Sequence, residues 1–596
     1  MKKINFSLFL LLCSSFILSD ENIYEEILTV ASKTPKKEYK VPISVDVINK
    51  NDLNNLQPLS ISGILSNNLA IDTSSNGGPG QVTSIFLRGS NSNHTLVKIN
   101  GIKINPATAG GASIYNLDTN LISKIEIASG PLSSIHGSEA IGGVINISTR
   151  NNTSNNSTII GIRSGPDNHI KKYIQGNIAS EKSSFSLGLL DSNTNGFPSL
   201  MNSTLDQGYE NNSVISELNH NNKYLDISLS TWSSEGKVEY LIFESPVSQN
   251  YKNEAAAAEL KLKFNKDDLI IFNLNSSRDL IKQNNLNFLG FIDKTETQRK
   301  SYEILVNQSL NKKFSYSAGY VLEKEDVNYS SFGTIFQKDL KAKAFFGTVE
   351  LILNKNTFIT SIRKSDHEIY KDQSSWNIGY LRQVNQDWLI NFSSGEAYRS
   401  PNSSELFGFG SNLDLIPELS KSHEIGLSKR KENSVLKLIY FKNHTSNLIN
   451  FDYVNYILKN IKKSSNTGIE LRYRWTGRLV NGSLILRSQN PKDEKNKLLP
   501  RRSRKSASLN ITKEFKDYVI GLNISTFDQK IDYEEIKLPG YTLINLNAKK
   551  DINEKLSFSV KIENLTNKEY FTAASLNSYY LNQDRSLWLK VNFKLR

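Results

Sequence analysis

The residues of this chain that are able to carry chemistry are scattered along it. None of its seven histidines has a second His or Cys at the spacing of a metal site. His423-Glu424 is not followed by the second histidine of a zinc-binding helix, and neither a Gly-x-Ser-x-Gly motif nor a phosphate-binding loop occurs. We therefore expect no enzyme; a hydrolase that assembles Ser, His and an acid from distant strands stays as a remote alternative. The histidines are His94, His136, His169, His220, His367, His423 and His444.

The charge of the chain does not indicate a nucleic-acid-binding protein. The formal net charge is +13, but the longest basic cluster is Arg501-Arg502-Ser503-Arg504-Lys505 and the remaining Lys and Arg residues are dispersed. Nucleic-acid binders group their basic residues on one face, with aromatic residues between them. Dispersed charge is typical of solvated loops, so we expect no nucleic-acid partner.

Residues 1–19 have the form of a secretory signal. Met1-Lys2-Lys3 is followed by an apolar run from Phe6 to Leu18 and by a small-residue exit near Ser19. The run has about 13 residues, whereas a helix needs about 20 to span a bilayer, so a retained anchor is the lesser alternative. The one cysteine, Cys13, lies inside this run. We expect a mature chain with neither a thiol nor a disulfide.

A compact domain of mixed secondary structure is predicted around residues 77–150. Short alternating runs from Ser84 to Arg88 and from His94 to Ile99 predict strands, and Asn100-Gly101 between strands is a signal for a hairpin turn. Upstream, Ser60 followed by apolar residues at helical spacing predicts a short capped helix.

After the polar run from Asn151 to Asn156 the pattern changes to alternating segments of roughly ten residues, which is typical of membrane-spanning strands. No run of 18 apolar residues occurs in the mature chain, which excludes helical spans. About 440 residues accommodate 22 strands of about ten, with short inner turns such as Asn311-Lys312-Lys313 and longer outer loops. A barrel of that size has a lumen wide enough to need a seal. In the last segment Leu587, Leu589, Val591, Phe593 and Leu595 alternate with Trp588, Lys590, Asn592 and Lys594.

The order of motifs in both halves resembles the TonB-dependent outer-membrane transporters. The resemblance implies a transmembrane β-barrel of about 22 antiparallel strands over residues 153–596, in the Gram-negative outer membrane. It also implies an N-terminal mixed α/β plug domain, residues 39–152, inside the lumen. The motifs are Ile85-Phe86-Leu87-Arg88-Gly89, Ile99-Asn100-Gly101-Ile102, Ile125-Glu126-Ile127, Gly130-Pro131, Gly137 to Ile147, Ala397 to Phe407, Leu415 to Ser420, Glu424-Ile425-Gly426, Gly468-Ile469-Glu470 and Asn564 to Tyr570.

The family presents a short N-terminal segment, the TonB box, to the energy-coupling protein TonB. The resemblance places it in a flexible N-terminus, residues 20–38. An extended apolar heptad outside any hairpin suits edge-to-edge pairing with a partner strand; a first strand of the plug is the alternative. The residues are Glu26, Ile27, Leu28, Thr29, Val30, Ala31 and Ser32.

Within the family, residues 84–105 most resemble the vitamin B12 (cobalamin) transporters. The resemblance implies cobalamin as the cargo and a periplasmic binding protein as its acceptor. The alternative cargo is an iron–siderophore or other metal chelate, and a passive porin, which has no plug, is remote. Carried over position by position, substrate contacts fall on Val82, Ser84, Asn91, Ala109 and Gly110, with Arg502 as a weaker barrel candidate.

In the same transporters an early outer loop holds calcium with several aspartates. Asp191, Asp206 and Glu210 lie there in this chain, but the neighbouring positions carry Asn, and calcium prefers several charged oxygen ligands. An ordinary polar loop is therefore favoured, and no other cofactor is expected. We expect a monomer surrounded by outer-membrane lipid and lipopolysaccharide.

Three positions depart from the family pattern. Ser129 stands where Arg usually precedes Gly-Pro, which predicts the loss of one polar contact between plug and barrel. His136 stands where Tyr is usual. The chain ends Phe593-Lys594-Leu595-Arg596 rather than on an aromatic residue; because Phe593 keeps the outward face, we expect assembly to tolerate this end.

Overall fold

The computed structural model describes residues 27–149, 156–242, 245–265, 267–285, 292–452, 454–575 and 578–595. The predicted signal, residues 20–26 of the predicted flexible N-terminus (including Glu26 of the predicted TonB box), Arg150, and residues 151–155 of the polar run lie outside the described residues.

Twenty-two antiparallel strands, all within the described residues, close into a barrel. The first strand, Ser157–Ser164, completes the ring by pairing with the last, Ser586–Leu595. The predicted barrel is confirmed, but many strands are longer than the predicted ten residues. Ile292–Asn311 and Thr334–Leu353 each have 20 residues. Because about ten residues cross a bilayer, these strands continue beyond it as paired loops.

In ring order the strands are Ser157–Ser164, Ile170–Ala179, Ser183–Thr194, Tyr209–Asn221, Leu225–Ile242, Ser245–Lys263, Leu269–Asn285, Ile292–Asn311, Phe314–Ser331, Thr334–Leu353, Asn356–His367, Lys371–Gln383, Trp388–Arg399, Glu418–Lys431, Ser434–Asp452, Ile457–Trp475, Asn481–Gln489, Lys505–Glu514, Tyr518–Phe527, Tyr541–Asp551, Leu556–Glu563 and Ser586–Leu595. Two short strand pairs lie outside the ring: Lys530–Ile531 with Lys537–Leu538, and Phe571–Ser575 with Ser578–Leu581. A further short strand, Lys492–Asp493, pairs with the barrel strand Ile457–Trp475.

The outer face of the barrel is apolar and the inner face is polar. In the last strand Leu587, Val591 and Phe593 are exposed, whereas Trp588 is buried, as the alternation predicted. The exposed apolar residues face the lipid, and the residues of the inner face contact the plug domain. None of the helices among the described residues is long and apolar enough to cross a membrane.

The plug is a five-stranded sheet with short helices, and it lies inside the barrel. Its strands lie in the order Val45–Ile48, Lys124–Ser129, Gly143–Ser148, Thr95–Ile99 and Ile102–Lys103; Thr95–Ile99 pairs in parallel with Gly143–Ser148 and the other pairs are antiparallel. The buried apolar cluster around Ile99 and Ile147 continues onto Tyr173, Leu190 and Trp232 of the barrel wall. The two domains therefore share one core, which confirms the predicted plug inside the lumen.

The remaining plug strands are Ile27–Leu28 with Lys36–Lys37 and Asp72–Ser75 with Thr83–Phe86. The α-helices are Lys50–Leu56, Ile61–Gly63, Ser133–His136 and, in the barrel, Ser403–Phe407; Ile64–Asn68 is a π-helix. The 3₁₀-helices are Glu38–Lys40, Leu87–Gly89, Ser92–His94, Ile114–Asn116, Thr119–Leu121 and Tyr533–Glu535.

Two local predictions from the plug sequence, a hairpin turn and a capped helix, are found in the structure, and a third, a strand, ends earlier than predicted. Asn100 (φ 50°) and Gly101 (φ 87°) both adopt left-handed backbone and join Thr95–Ile99 to Ile102–Lys103, which is the predicted hairpin turn. The Ser60 side chain caps the predicted helix by accepting from the Gly63 amide at 3.0 Å. The strand predicted from Ser84 to Arg88 ends earlier, at Phe86, because the backbone at Arg88 is left-handed (φ 46°).

A charge on the outer face should be costly only where lipid contacts it. Ile362 lies midway along Asn356–His367 and is 62% exposed. We expect Ile362→Lys to lower the free energy of unfolding by about 2–4 kcal/mol, measured by urea titration in lipid vesicles.

Tyr224, which is 65% exposed in the short turn before Leu225–Ile242, is the matched control. Tyr224→Lys should change stability by less than about 1 kcal/mol because that turn lies near the interface. Equal effects of the two substitutions would contradict the assigned lipid belt.

Candidate functional site

A buried cluster of charges joins the plug to the inner wall of the barrel. The left-handed backbone at Arg88 directs its guanidinium into the wall, where Nη1 lies 2.7 Å from Glu424 and Nε lies 3.4 Å from Glu470. The guanidinium also lies 4.5 Å from the centre of the Phe441 ring. Burial by itself lowers the pKa of Arg88, but the two carboxylates outweigh it, so the net direction is upward. The side chain remains a cation.

The cluster is electrically balanced without the arginine that the family usually carries at position 129. Glu470 accepts from two barrel arginines, Arg472 at 2.6 Å and Arg487 at 3.0 Å. Arg472 also contacts Asp46 of the plug at 2.7 Å. Two barrel arginines thus lie beside Glu470. The plug contributes one cation, Arg88, and one anion, Asp46, to the cluster.

A second contact uses the barrel motif around Arg399. Arg399 pairs with Glu405 at 2.9 Å and also with Glu418, and Glu418 in turn contacts Nε2 of the plug's His94 at 2.8 Å. Arg399, Glu405 and Glu418 lie within motifs that carry the family resemblance, but the sequence alone predicts no role for them. A sequence signal for this contact does exist, since Glu418 and Glu424 are acidic residues on the inner face of a strand. A buried carboxylate needs a cation or a hydrogen-bond donor as its partner.

The predicted substrate residues lie on one continuous part of the plug, at the end of the barrel with the long loops. Val82 and Ala109 are exposed, Ser84 and Asn91 are half-buried, and Gly110 is buried. Gly110 has left-handed backbone, and a Cβ there would lie 3.0 Å from that of Asn93 in the turn containing Asn91. The apex turn is held by the barrel helix Ser403–Phe407, whose Ser403 amide donates to Ala107 O at 2.8 Å.

Arg502, the barrel candidate, is buried against the plug. Its Nη2 donates to Asn91 Oδ1 at 2.6 Å and to Ser90 O at 3.2 Å, and its guanidinium lies 4.2 Å from the centre of the Phe86 ring. The structure therefore brings Arg502 together with the predicted residue Asn91. Its geometry is that of a residue that positions Asn91, and its contact with a solute stays a prediction.

The described part of the predicted TonB box is folded onto the plug. Ile27–Leu28 pairs with Lys36–Lys37, and Leu28 and Val30 are buried, whereas Ile27 is exposed. The sequence predicts that this segment lies outside any hairpin in a flexible terminus. Its described part is folded instead, because its apolar side chains complete a second buried cluster with Val45, Val47 and Leu96. Its role in coupling stays a prediction.

Two plug residues hold this segment by its backbone. Glu126 Oε2 accepts from the amides of Thr29 at 3.0 Å and Val30 at 2.9 Å. His136 Nε2 contacts Val30 O at 2.8 Å and its Nδ1 lies 3.0 Å from Lys98 Nζ. Burial, with Lys98 and Lys33 nearby, lowers the pKa of His136 well below its ordinary value. The neutral imidazole therefore donates from Nε2 and accepts from Lys98 at Nδ1.

The three calcium candidates are not gathered into a site. Asp191 and Glu210 are exposed on the outer face of neighbouring strands, and Asp206 is exposed in a loop. Asp191 lies 3.7 Å from Lys172. Across the described residues, no group of three or more His, Cys, Asp or Glu side chains is placed to hold a metal ion.

Removing the plug's cation should loosen the plug selectively. In Arg88→Met, Glu424 loses its buried cation, and breaking such a pair costs about 3–5 kcal/mol. We expect plug unfolding, followed as protease sensitivity in a urea titration, at a lower urea concentration while the barrel stays folded. The control is Lys364→Met: its pair with Asp372 is 65% and 60% exposed, so the loss should be under about 1 kcal/mol. Equal midpoints for the two variants would contradict the buried-charge role.

Loss of the Glu126 charge should release the N-terminal segment. Ala31 is buried, and in an Ala31→Cys background its thiol should react slowly with a maleimide. Adding Glu126→Gln weakens charge-assisted bonds worth about 1.5 kcal/mol or more, so labelling should accelerate about tenfold. Glu259→Gln, which removes a carboxylate on the barrel wall, is the matched control. Unchanged labelling would show that Glu126 does not hold the segment.

Comparison with known proteins gives two family matches that together cover most of the chain. The TonB-dependent Receptor Plug Domain matches residues 37–144, and the TonB dependent receptor-like β-barrel matches residues 146–565. Among curated proteins, a "Vitamin B12 transporter BtuB" from Vibrio vulnificus is 26% identical, covering 96% of this chain and 95% of its own. Another from Photobacterium profundum is 24% identical, covering 98% of both chains.

Solved structures with the same fold include iron receptors. The FrpB iron transporter from Neisseria meningitidis has a TM-score of 0.81 at 12% identity, covering 94% of this chain and 100% of its own. The ferric-catecholate import receptor Fiu from E. coli has a TM-score of 0.81 at 12% identity, covering 96% and 100%. At such identities the likeness shows the fold alone. The family matches, the closed barrel and the plug within it establish that this chain belongs to the TonB-dependent receptors of the Gram-negative outer membrane.

Proposed function

We propose that this receptor imports cobalamin across the outer membrane. TonB-dependent transport follows from its family, and the choice of cobalamin is supported by the curated relatives, which match nearly the whole chain at 22–26% identity and are named as vitamin B12 transporters. The iron receptors share the fold at 12–15% identity, which carries no argument about cargo.

The plug apex suits a bulky solute. Val82 and Ala109 carry apolar side chains and are exposed, and Gly110 beside Ala109 carries none, so apolar groups are available to a solute there. Arg502 donates to the oxygen of the Asn91 amide and so fixes the orientation of this polar group. Apolar area with a few fixed polar groups is the usual composition of a small-molecule site.

Energy enters at the other end of the plug. TonB pairs with the segment from Ile27 to Ser32 by adding a strand, as extended segments do. Pulling on this segment breaks the hydrogen bonds from Thr29 and Val30 to Glu126, together with the 2.5 Å ion pair between Lys33 and Glu303 of the barrel. The solute released into the periplasm passes to a periplasmic binding protein.

Import of an iron chelate is the second candidate, and one observation favours it. Aromatic rings gather on the outer loops: Tyr329 stacks on Phe336 at 4.8 Å, and Phe336 lies 5.6 Å from Phe407. Lys338 Nζ lies 4.8 Å from the centre of the Phe407 ring. Aromatic faces beside a cation suit an anionic aromatic chelate.

Binding of labelled cyanocobalamin to the purified receptor distinguishes the two cargoes. We expect saturable binding below micromolar concentration that a ferric catecholate does not displace. Absence of such binding, with and without calcium, would remove cobalamin while leaving the transporter assignment intact. Deletion of Ile27 to Val30 should abolish uptake by cells and leave binding unchanged, because the apex is untouched; surviving uptake would show that this segment does not couple to TonB.

A further inference from the structure

Two large cavities open between the plug and the barrel wall at the periplasmic end, where the turns are short. One, of about 790 Å³, lies beside the Asn100-Gly101 hairpin and is lined by Lys98, Arg299, Glu303 and Glu323. The other, of about 660 Å³, lies near Asp46 and Trp475. Both have the volume of small-molecule sites.

The 790 Å³ cavity meets a further cavity that reaches the plug apex. Lys103, Arg299, Glu323 and Arg363 line both it and a smaller cavity of about 80 Å³. The smaller cavity extends to Ala107, Gly110, Asn402 and Ser403 at the apex turn. By contrast, the 660 Å³ cavity is lined by Asp46 and Arg472 of the charge cluster and by no apex residue.

The plug is held less strongly on the side of this pair of cavities. There two hydrogen bonds join the body of the plug to the wall. Arg299 Nη1 donates to Asn105 O at 2.8 Å, and the Ala107 amide donates to Thr297 Oγ1 at 3.2 Å. Of the ion pairs nearby, Lys103 pairs with Glu139 within the plug at 3.0 Å and Arg299 pairs with Glu325 within the barrel at 2.5 Å. Lys33 of the N-terminal segment does pair across the boundary with Glu303. Separation of the plug from this wall therefore leaves the first two pairs intact, and withdrawal of the N-terminal segment breaks the third.

On the far side, buried ion pairs cross the boundary. Arg88 contacts Glu424, Asp46 contacts Arg472, and Asp72 contacts Lys530 at 2.9 Å. Breaking any of these leaves a charge without its partner away from water, which costs several kcal/mol. Separation is therefore easier along the wall that carries Arg299.

The predicted coupling segment forms part of the lower cavity. Ile27, Thr29, Lys33 and Pro35 line the 790 Å³ cavity, and Lys33 forms the ion pair with Glu303 on its wall. Withdrawal of this segment would enlarge the cavity from the periplasmic side. Force on the segment thus acts on the side where the plug is held least.

We propose that the transported solute passes between the plug and the wall formed by the four consecutive strands Ile292–Asn311, Phe314–Ser331, Thr334–Leu353 and Asn356–His367, through a constriction at Arg299. We name this passage the lane; its assignment rests on the proposed transport function. Its lining carries both charge signs: Lys103 of the plug, and Arg363, Glu303 and Glu323 of the wall. Burial and the nearby Lys33 lower the pKa of Lys98, which also lines the lower cavity, to about 7.

Paired cysteines across and away from the lane test this route. Ala107→Cys with Thr297→Cys tethers plug to wall across the lane. Ser75→Cys with Thr572→Cys is the matched control, because the Ser75 amide donates to Thr572 Oγ1 at 3.1 Å in the same kind of contact on another part of the ring. The one native cysteine, Cys13, lies in the predicted signal. Retained binding of labelled cyanocobalamin shows that each oxidised variant is folded.

We expect the lane tether to abolish uptake, a reductant to restore it, and the control tether to leave uptake unchanged. Uptake by the oxidised lane-tether variant would overturn the proposal. Equal loss of uptake in both tethered variants would also overturn it, because transport would then require the whole plug to leave the barrel.

Conductance in planar bilayers, with urea added to loosen the plug, gives a second reading that needs no solute. The lane tether should suppress the urea-induced current and the control should not; the opposite pattern would overturn the lane. Failure of wild-type cells to import cobalamin would count against the proposed function, whereas the conductance pattern decides on the lane.

Discussion

Burial of charge between plug and barrel is the constraint on which the rest of this structure depends. Glu424 and Glu470 lie on the inner wall away from water, and a carboxylate in such surroundings is tolerated only beside cations and hydrogen-bond donors. Arg88 of the plug contacts both of them, so these two wall carboxylates favour the plug position that brings Arg88 beside them. The left-handed backbone at Arg88 costs of order 1–3 kcal/mol, and these contacts offset it.

The same constraint makes the interface unequal around the ring. Where Arg88, Asp46 and Asp72 meet the barrel, separation would expose unpaired buried charges. Where Ala107 and Asn105 meet the wall, the contacts are single hydrogen bonds beside small cavities. An interface with one strong and one weak side is suited to partial opening, because local opening follows the least costly contacts. The N-terminal segment lies on the weak side.

Several elements were predictable from sequence because their physical signals are local. The alternation of Leu587, Val591 and Phe593 with Trp588 requires one apolar and one buried face, and the structure has both. Asn100-Gly101 predicted a turn because few residue pairs tolerate two left-handed positions in succession. The strand predicted through Arg88 was too long, since its end is imposed by partners hundreds of residues away on the barrel wall.

The sequence by itself determined the two-domain architecture, the strand period and the identity of the family, because each of these is written in residues close together along the chain. Only the tertiary structure decided which polar side chains meet: Arg88 with Glu424, His94 with Glu418, and Arg502 with Asn91. It also decided that Leu28 and Val30 fold onto the plug instead of extending from it. The reason is that these contacts depend on how the plug is rotated inside the ring, and that rotation is selected by the sum of many buried pairs and not by any one segment.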